Sequence, residues 1–174
     1  MEDLSYPIGR FSPETKLSDS KRGQLIEEIA AAPAALRDAV NGLSVEQIDT
    51  PYRPGGWTVR QVAHHIPDSH MNAYIRFRLA LTENQPTIKP YVQQLWAELP
   101  DAKTADIEMS LTLLDGLHKR WVSLLKNMKP EDFKGTFRHP ESGIQSLERT
   151  LQMYAWHGKH HVAHITSLRK RMGW

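Results

Sequence analysis

Nine residues, Trp156-His-Gly-Lys-His-His-Val-Ala-His164, hold four of the chain's nine histidines. A neutral imidazole offers one ring-nitrogen lone pair to a divalent metal ion. On a helix, side chains at i and i+4 share a face, with Cβ atoms roughly 5–6 Å apart. His157/His161 and His160/His164 both have that spacing. Two ligands do not make a site, so a third must come from elsewhere. The best donor is the second histidine-bearing stretch, Trp57-Thr-Val-Arg-Gln-Val-Ala-His-His65. Three neutral histidines leave at least one position open, as in catalytic rather than structural zinc sites. Water held there would have its pKa lowered to about 7, a nucleophile made without an activated serine or cysteine. Cysteine is absent, which removes thiolate ligands, disulfides and a cysteine nucleophile together. A carboxylate di-iron site would want Glu-x-x-His pairs on facing helices, and residues 61–70 and 154–164 contain none.

These histidines need helices to hold them. Leu25, Ile26, Ile29, Leu36 and Val40 recur at helical spacing, and Gly42 is a suitable stop, which predicts a first helix over 19–41. Pro33 lies inside it and is expected to kink or break it. Ser44/Gln47 and Thr58/Gln61 have the spacing of capping boxes, and Trp57 with Val62 that of a hydrophobic staple. The second box starts a helix over roughly 59–82, with Pro67 expected to bend it. Residues 83–103 contain Pro86, Pro90 and Pro100 and read as a long crossover, with a helical turn near 91–99. Thr104 is the expected cap of a third helix over roughly 105–128. Residues 129–145 read as a loop, and no strong strand is predicted. Ser146 caps a fourth helix over roughly 147–171 that carries the histidine cluster. Residues 1–17 read as an extended arm, either a strap over the bundle or a reach onto a second subunit. The fold class is therefore all-α: a single domain over 1–174, a four-helix bundle with a long crossover between helices two and three.

Helix geometry separates the histidine pairs. At about 100° per residue, Leu147, Leu151, Tyr154, Gly158, Ile165 and Leu168 define the inner face of helix four. His161 falls within that stripe and His157 on its border. His164 lies further round, as a neighbour of the site or a surface group, and His160 points away toward solvent. On helix two the wheel puts His70 deepest, His65 on the flank and His64 outward, so His65 and His70 both stand as third ligands. His118 is a weaker option, since Lys119-Arg120 follow it, and His139 reads as surface. Asp68, Ser69 and Asn72 lie within a turn or two of His65 and could orient a ligand or water. Arg60 could bind an anion or pair with a carboxylate, and Tyr154 could line the pocket or belong to the core.

Apolar residues make up 40% of the chain and charged residues 24%, with a formal net charge of +2. The near-neutral balance offers no basic face for nucleic acid. No run of 18 apolar residues predicts a membrane span, and the first residues lack the pattern of a signal peptide, so a cytoplasmic location is expected. A bundle that an ion merely stabilises is the non-enzymatic alternative.

The chain also resembles a known family. Trp57-x-x-Arg60-x-x-x-x-His65, followed by His157-x-x-x-His161, is similar to the pattern of the DinB superfamily. Tyr6-Pro-Ile-Gly9, Thr50-Pro-Tyr-Arg53, Asp68-Ser-His-Met-Asn72 and Trp156 through Thr166 resemble its YfiT branch from Bacillus-type bacteria. The resemblance spans nearly the whole chain. It implies a four-helix bundle with one ligand from helix two and two from helix four, which fall on His65, His157 and His161. It also implies one divalent ion per chain, with zinc or nickel expected, and a cytoplasmic homodimer acting on a small-molecule substrate. Members are described as metal-dependent hydrolases. Some relatives are thiol S-transferases that use bacillithiol or a similar low-molecular-weight thiol, so the resemblance leaves hydrolase and transferase both open.

Overall fold

Four long helices build the molecule: α1 (Asp19–Val40), α3 (Val59–Thr82), α6 (Ile107–Asn127) and α7 (Leu147–Met172). The computed structural model describes residues 3–174, so the first two residues of the predicted arm lie outside it. Three one-turn helices, α2 (Val45–Ile48), α4 (Gln93–Trp96) and α5 (Pro100–Thr104), sit in the connections. α1 packs on α6 and α7, and α3 packs on the same two. Consecutive helices α1 and α3 therefore stand on one diagonal of the bundle and α6 and α7 on the other. No helix among the described residues is long and apolar enough to cross a membrane.

The caps define where the helices start. The Ser44/Gln47 and Thr58/Gln61 boxes both form, each closing two otherwise unpaired backbone donors. Ser146 caps α7, whose end is marked by Gly173 at φ 72°. Two expectations need correction here. Thr104 does not start the third long helix: it ends α5, and the Asp106 side chain accepts from the Glu108 amide to cap α6. Residues 129–145 are not a plain loop. After a short 3₁₀ turn, β1 (Thr136–His139) pairs antiparallel with β2 (Gly143–Ser146). The hairpin is anchored by Phe137, which is fully buried, and its turn ends at Gly143 with φ 75°. Neither internal proline ends its helix: α1 runs through Pro33 and α3 through Pro67.

The core has two apolar ends and a polar middle. Phe77, Trp121, Leu125, Phe137, Leu147 and Leu151 belong to one cluster. Leu36, Val62, Ile66, Leu111, Leu114 and Ile165 belong to the other. Burying each such side chain contributes about 1.5–3 kcal/mol, which can offset the cost of a buried polar layer. That layer lies between the clusters. Along α6 the inward residues run Leu111, Leu114, His118, Trp121, Leu125; along α7 they run Leu151, Tyr154, His157, His161, Ile165.

The arm is a strap on its own chain. The Glu14 amide donates to Gln152 Oε1 at 2.8 Å, and Gln152 Nε2 donates back to the Glu14 carbonyl at 3.1 Å. Phe11 packs against Trp156, and Tyr6 against His160. Ile8, between these two contacts, is exposed.

Candidate metal centre

His65 from α3 meets His157 and His161 from α7, with one ring nitrogen of each within 4.8 Å of the others. The Nε2 atoms of His65 and His157 face each other at 3.3 Å. Two nitrogens bound about 2.0–2.1 Å from one tetrahedral ion are themselves about 3.3 Å apart, so the donor set and its spacing fit a divalent ion. Burial holds the His65 imidazole down at about 4 and drives His157 and His161 well below the ordinary value, with the neighbouring histidines acting in the same direction. All three are therefore neutral, with a lone pair to give, across the physiological range.

His70 is fully buried but belongs to a different arrangement. Both its ring nitrogens are engaged, Nδ1 with His118 Nε2 at 2.9 Å and Nε2 with His157 Nδ1 at 3.1 Å. It stands behind His157, on the side away from His65. His118, the weaker option, is only 2% exposed and reaches the Ile29 carbonyl through Nδ1 at 2.7 Å. Its burial was there to be found, since it continues the 111, 114, 118, 121, 125 stripe of α6.

Two histidines expected in solvent are covered. His160 is 6% exposed, stacked on Trp156 and capped by Tyr6 of the strap. His64 is 8% exposed, with its ring nitrogens engaged by Ser110 Oγ at 2.7 Å and the Ala105 carbonyl at 3.2 Å. His164 stacks on Tyr52, and its Nε2 donates to the Ser5 carbonyl at 3.2 Å. His160, His161 and His164 also bring ring nitrogens within 4.8 Å of one another. His161 is common to both groups. A neutral imidazole has one lone pair, so His161 serves one group at a time; in the group with His65, two Nε2 atoms face each other at 3.3 Å.

The remaining candidates divide. Ser69 Oγ lies 3.5 Å from His157 Nε2, and Tyr154 packs beside His70 and His157. Arg60 is taken by Asp49, at 2.7 and 3.2 Å, and by the Ala105 carbonyl, so it pairs with a carboxylate rather than facing the histidines. Asn72 turns back to the Asp68 carbonyl of its own helix. Burial raises Asp68 to about 6, with Asp101 adding to the effect.

Two clefts open onto the centre. One, of about 530 Å³, is lined by Tyr6, Tyr52, Arg53, Trp57 and the α7 histidines. The other, of about 470 Å³, is lined by Ser69, Arg76, Tyr91, Arg149 and Tyr154. His157, Gln93 and Gln94 border both. Sequence reading passed over Tyr91, Gln93 and Gln94, which sit in the proline-rich crossover and carry no motif. Burial pushes the Tyr91 phenol up to about 12 even beside Ser69, so it stays a donor.

Comparison with known proteins gives a consistent picture. The profile of the DinB superfamily matches residues 28–165. A Bacillus cereus (strain B4264) protein and a Bacillus mycoides (strain KBAB4) protein are each 55% identical over all 174 residues, covering the whole of both chains. Both bear the name "Putative metal-dependent hydrolase". The solved structure of YfiT from Bacillus subtilis, described as "a probable metal-dependent hydrolase with an unusual four-helix bundle topology", superposes with a TM-score of 0.97 at 51% identity, covering 99% of each chain. TT2238, described as a four-helix bundle protein, superposes at 0.59 and 20% identity over 81% of this chain and 94% of its own, a likeness of fold alone.

Proposed function

Because the chain belongs to the DinB superfamily, we propose that it is a metal-dependent hydrolase whose ion would be held by His65, His157 and His161. The observation that carries this reading is the convergence of three neutral imidazoles, two of them with Nε2 atoms 3.3 Å apart, at the meeting of two clefts. Zinc or nickel suits imidazole ligands. A divalent ion with an open position supplies a Lewis acid and acidified water. The chain supplies the rest. The histidines keep their lone pairs because burial prevents their protonation. Ser69 Oγ and the Tyr91 hydroxyl stand at the cleft edge, as donors to a substrate oxygen. Trp57, packed on His65 and His161, shields the site from bulk water. The substrate is a small molecule, and the active species is the homodimer that the resemblance implies.

A second reading, a thiol S-transferase using a low-molecular-weight thiol such as bacillithiol, is favoured by one feature. A hydrolase needs one organic substrate and a transferase two, and two clefts share His157. Arg76 and Arg149 in the smaller one would suit an anionic thiol.

The test begins with metal analysis of protein purified without chelator, which is expected to hold about one divalent ion per chain. An ester and amide panel is then run beside a thiol-conjugation assay. Turnover that a chelator abolishes and zinc or nickel restores supports the metal-dependent reading, and the assay that responds chooses between hydrolase and transferase. Turnover indifferent to chelation would refute it.

A further inference from the structure

Each of the four long helices contributes one residue to a hydrogen-bonded file that ends at the candidate metal centre. It starts at a proline. Pro33 has no N–H, so the carbonyl four residues back, that of Ile29, lacks its usual helical partner. His118 Nδ1 approaches that carbonyl at 2.7 Å. A carbonyl only accepts, so Nδ1 of His118 carries the proton. A neutral imidazole has one N–H, so His118 Nε2 is an acceptor. His70 Nδ1, 2.9 Å away, must then donate, which leaves His70 Nε2 as an acceptor. His157 Nδ1, 3.1 Å from it, must donate in turn. The only nitrogen of His157 left with a lone pair is Nε2, the atom that faces His65.

We propose that His118 and His70 are positioning residues: anchored on the Ile29 carbonyl that Pro33 leaves free, they lock His157 in the Nδ1–H tautomer and aim its Nε2 lone pair at His65 and His161. The direction of every donor follows from the one group in the file that cannot donate. His70 is fully buried and His118 is 2% exposed, at the edge of a surface cleft beside Pro33, so water, which could otherwise reverse a bond, has little access to the file. A ligand imidazole held by its far nitrogen is oriented and made more basic. The purpose of the file rests on the metal reading above; the file itself does not.

The test is a long-range ¹H–¹⁵N correlation spectrum of ¹⁵N-histidine-labelled protein, metal-free, which reads the tautomer of each ring directly. His118, His70 and His157 are expected as Nδ1–H. An Nε2–H tautomer at His70 or His157 in the wild-type protein overturns the proposal, with no variant needed. A second arm uses His118→Phe, checked for folding by circular dichroism. Without the acceptor at 118, His70 loses its fixed direction. His157 is then expected as a mixture of tautomers, and affinity for Zn²⁺ in competition with a chromogenic chelator to fall about 10- to 100-fold. A folded His118→Phe protein with the wild-type tautomer at His157 and wild-type affinity also overturns it. If the wild type shows the expected tautomers but no tight Zn²⁺ binding, the metal reading fails and the file stands.

Discussion

His160 and His161 are neighbours on α7, and both are buried, yet they are assigned opposite roles. His161 turns into the bundle beside His65; His160 turns outward under the strap, between Trp156 and Tyr6. His65→Ala, His157→Ala and His161→Ala should each abolish tight binding of a divalent ion, and His160→Ala should retain it. Competitive titration of each folded variant reads the difference, and loss of the ion from His160→Ala alone would exchange the two groups. The inward direction of His157 and His161 could be read from periodicity, because the inner face of α7 is marked by apolar residues on either side of them. The covering of His160 and His64 could not. A helical wheel knows one buried face, that of the bundle core, whereas His160 is covered by the strap and His64 by the turn at Ala105 and by Ser110. The choice of His65 over His70 was open for a similar reason. Both lie on α3 at depths the wheel ranks, but only the position of α7 decides which of them faces His161.

Between the helices, α7 packs tightly against α1 at Gly158. A Cβ built there would lie 3.2 Å from Ala32 Cβ and 3.6 Å from His70 Cε1. Ala32 Cβ is fixed to the α1 backbone and cannot swing aside. Gly158→Ala should gain up to about 1 kcal/mol of helix propensity and lose about 1–3 kcal/mol to overpacking, for a net loss on the order of 1 kcal/mol. Urea unfolding measures it, and a raised midpoint would mean that α1 and α7 can part by a few tenths of an ångström without cost. The helices themselves were largely readable, because capping boxes and staples are local. Where a nearer competitor existed the reading slipped: Asp106, two residues on, displaced Thr104 as the cap of α6. The hairpin at 136–146 went unseen because its strands are four residues each and only Phe137 is deeply buried.

Taken as a whole, the molecule stacks a histidine layer between two apolar clusters, which makes its stability sensitive to acid. Burial depresses His65, His118 and His160 from 6.5 to about 4. A histidine whose folded pKa is depressed contributes stability that is fully present above 6.5 and is lost as the pH falls toward 4, because the unfolded chain takes up the proton first. Asp68 acts in the opposite sense: raised from 3.8 to about 6, its contribution is present below 3.8 and lost as the pH rises through 6. Histidines outnumber it, so metal-free protein should lose stability from pH 6.5 downward, at up to about 1.4 kcal/mol per pH unit for each net proton. Urea midpoints at pH 7.5, 6 and 5 test this; a midpoint that does not fall would mean that the layer is already hydrated at neutral pH.

The three proposed ligands are also separated in time. His65 precedes His157 by 92 residues, which at 5–20 residues per second is roughly 5–20 s of synthesis. Through that interval neither of the α7 histidines proposed to share an ion with His65 has been made. Ser5 waits longer still, since His164 lies 159 residues after it. The proposed three-histidine site therefore cannot form from the first three long helices alone, and the strap's contacts at Gln152, Trp156, His160 and His164 do not exist until α7 does. On the proposed reading, loading becomes an event of the folded chain, and a filled site would certify that α7 has docked.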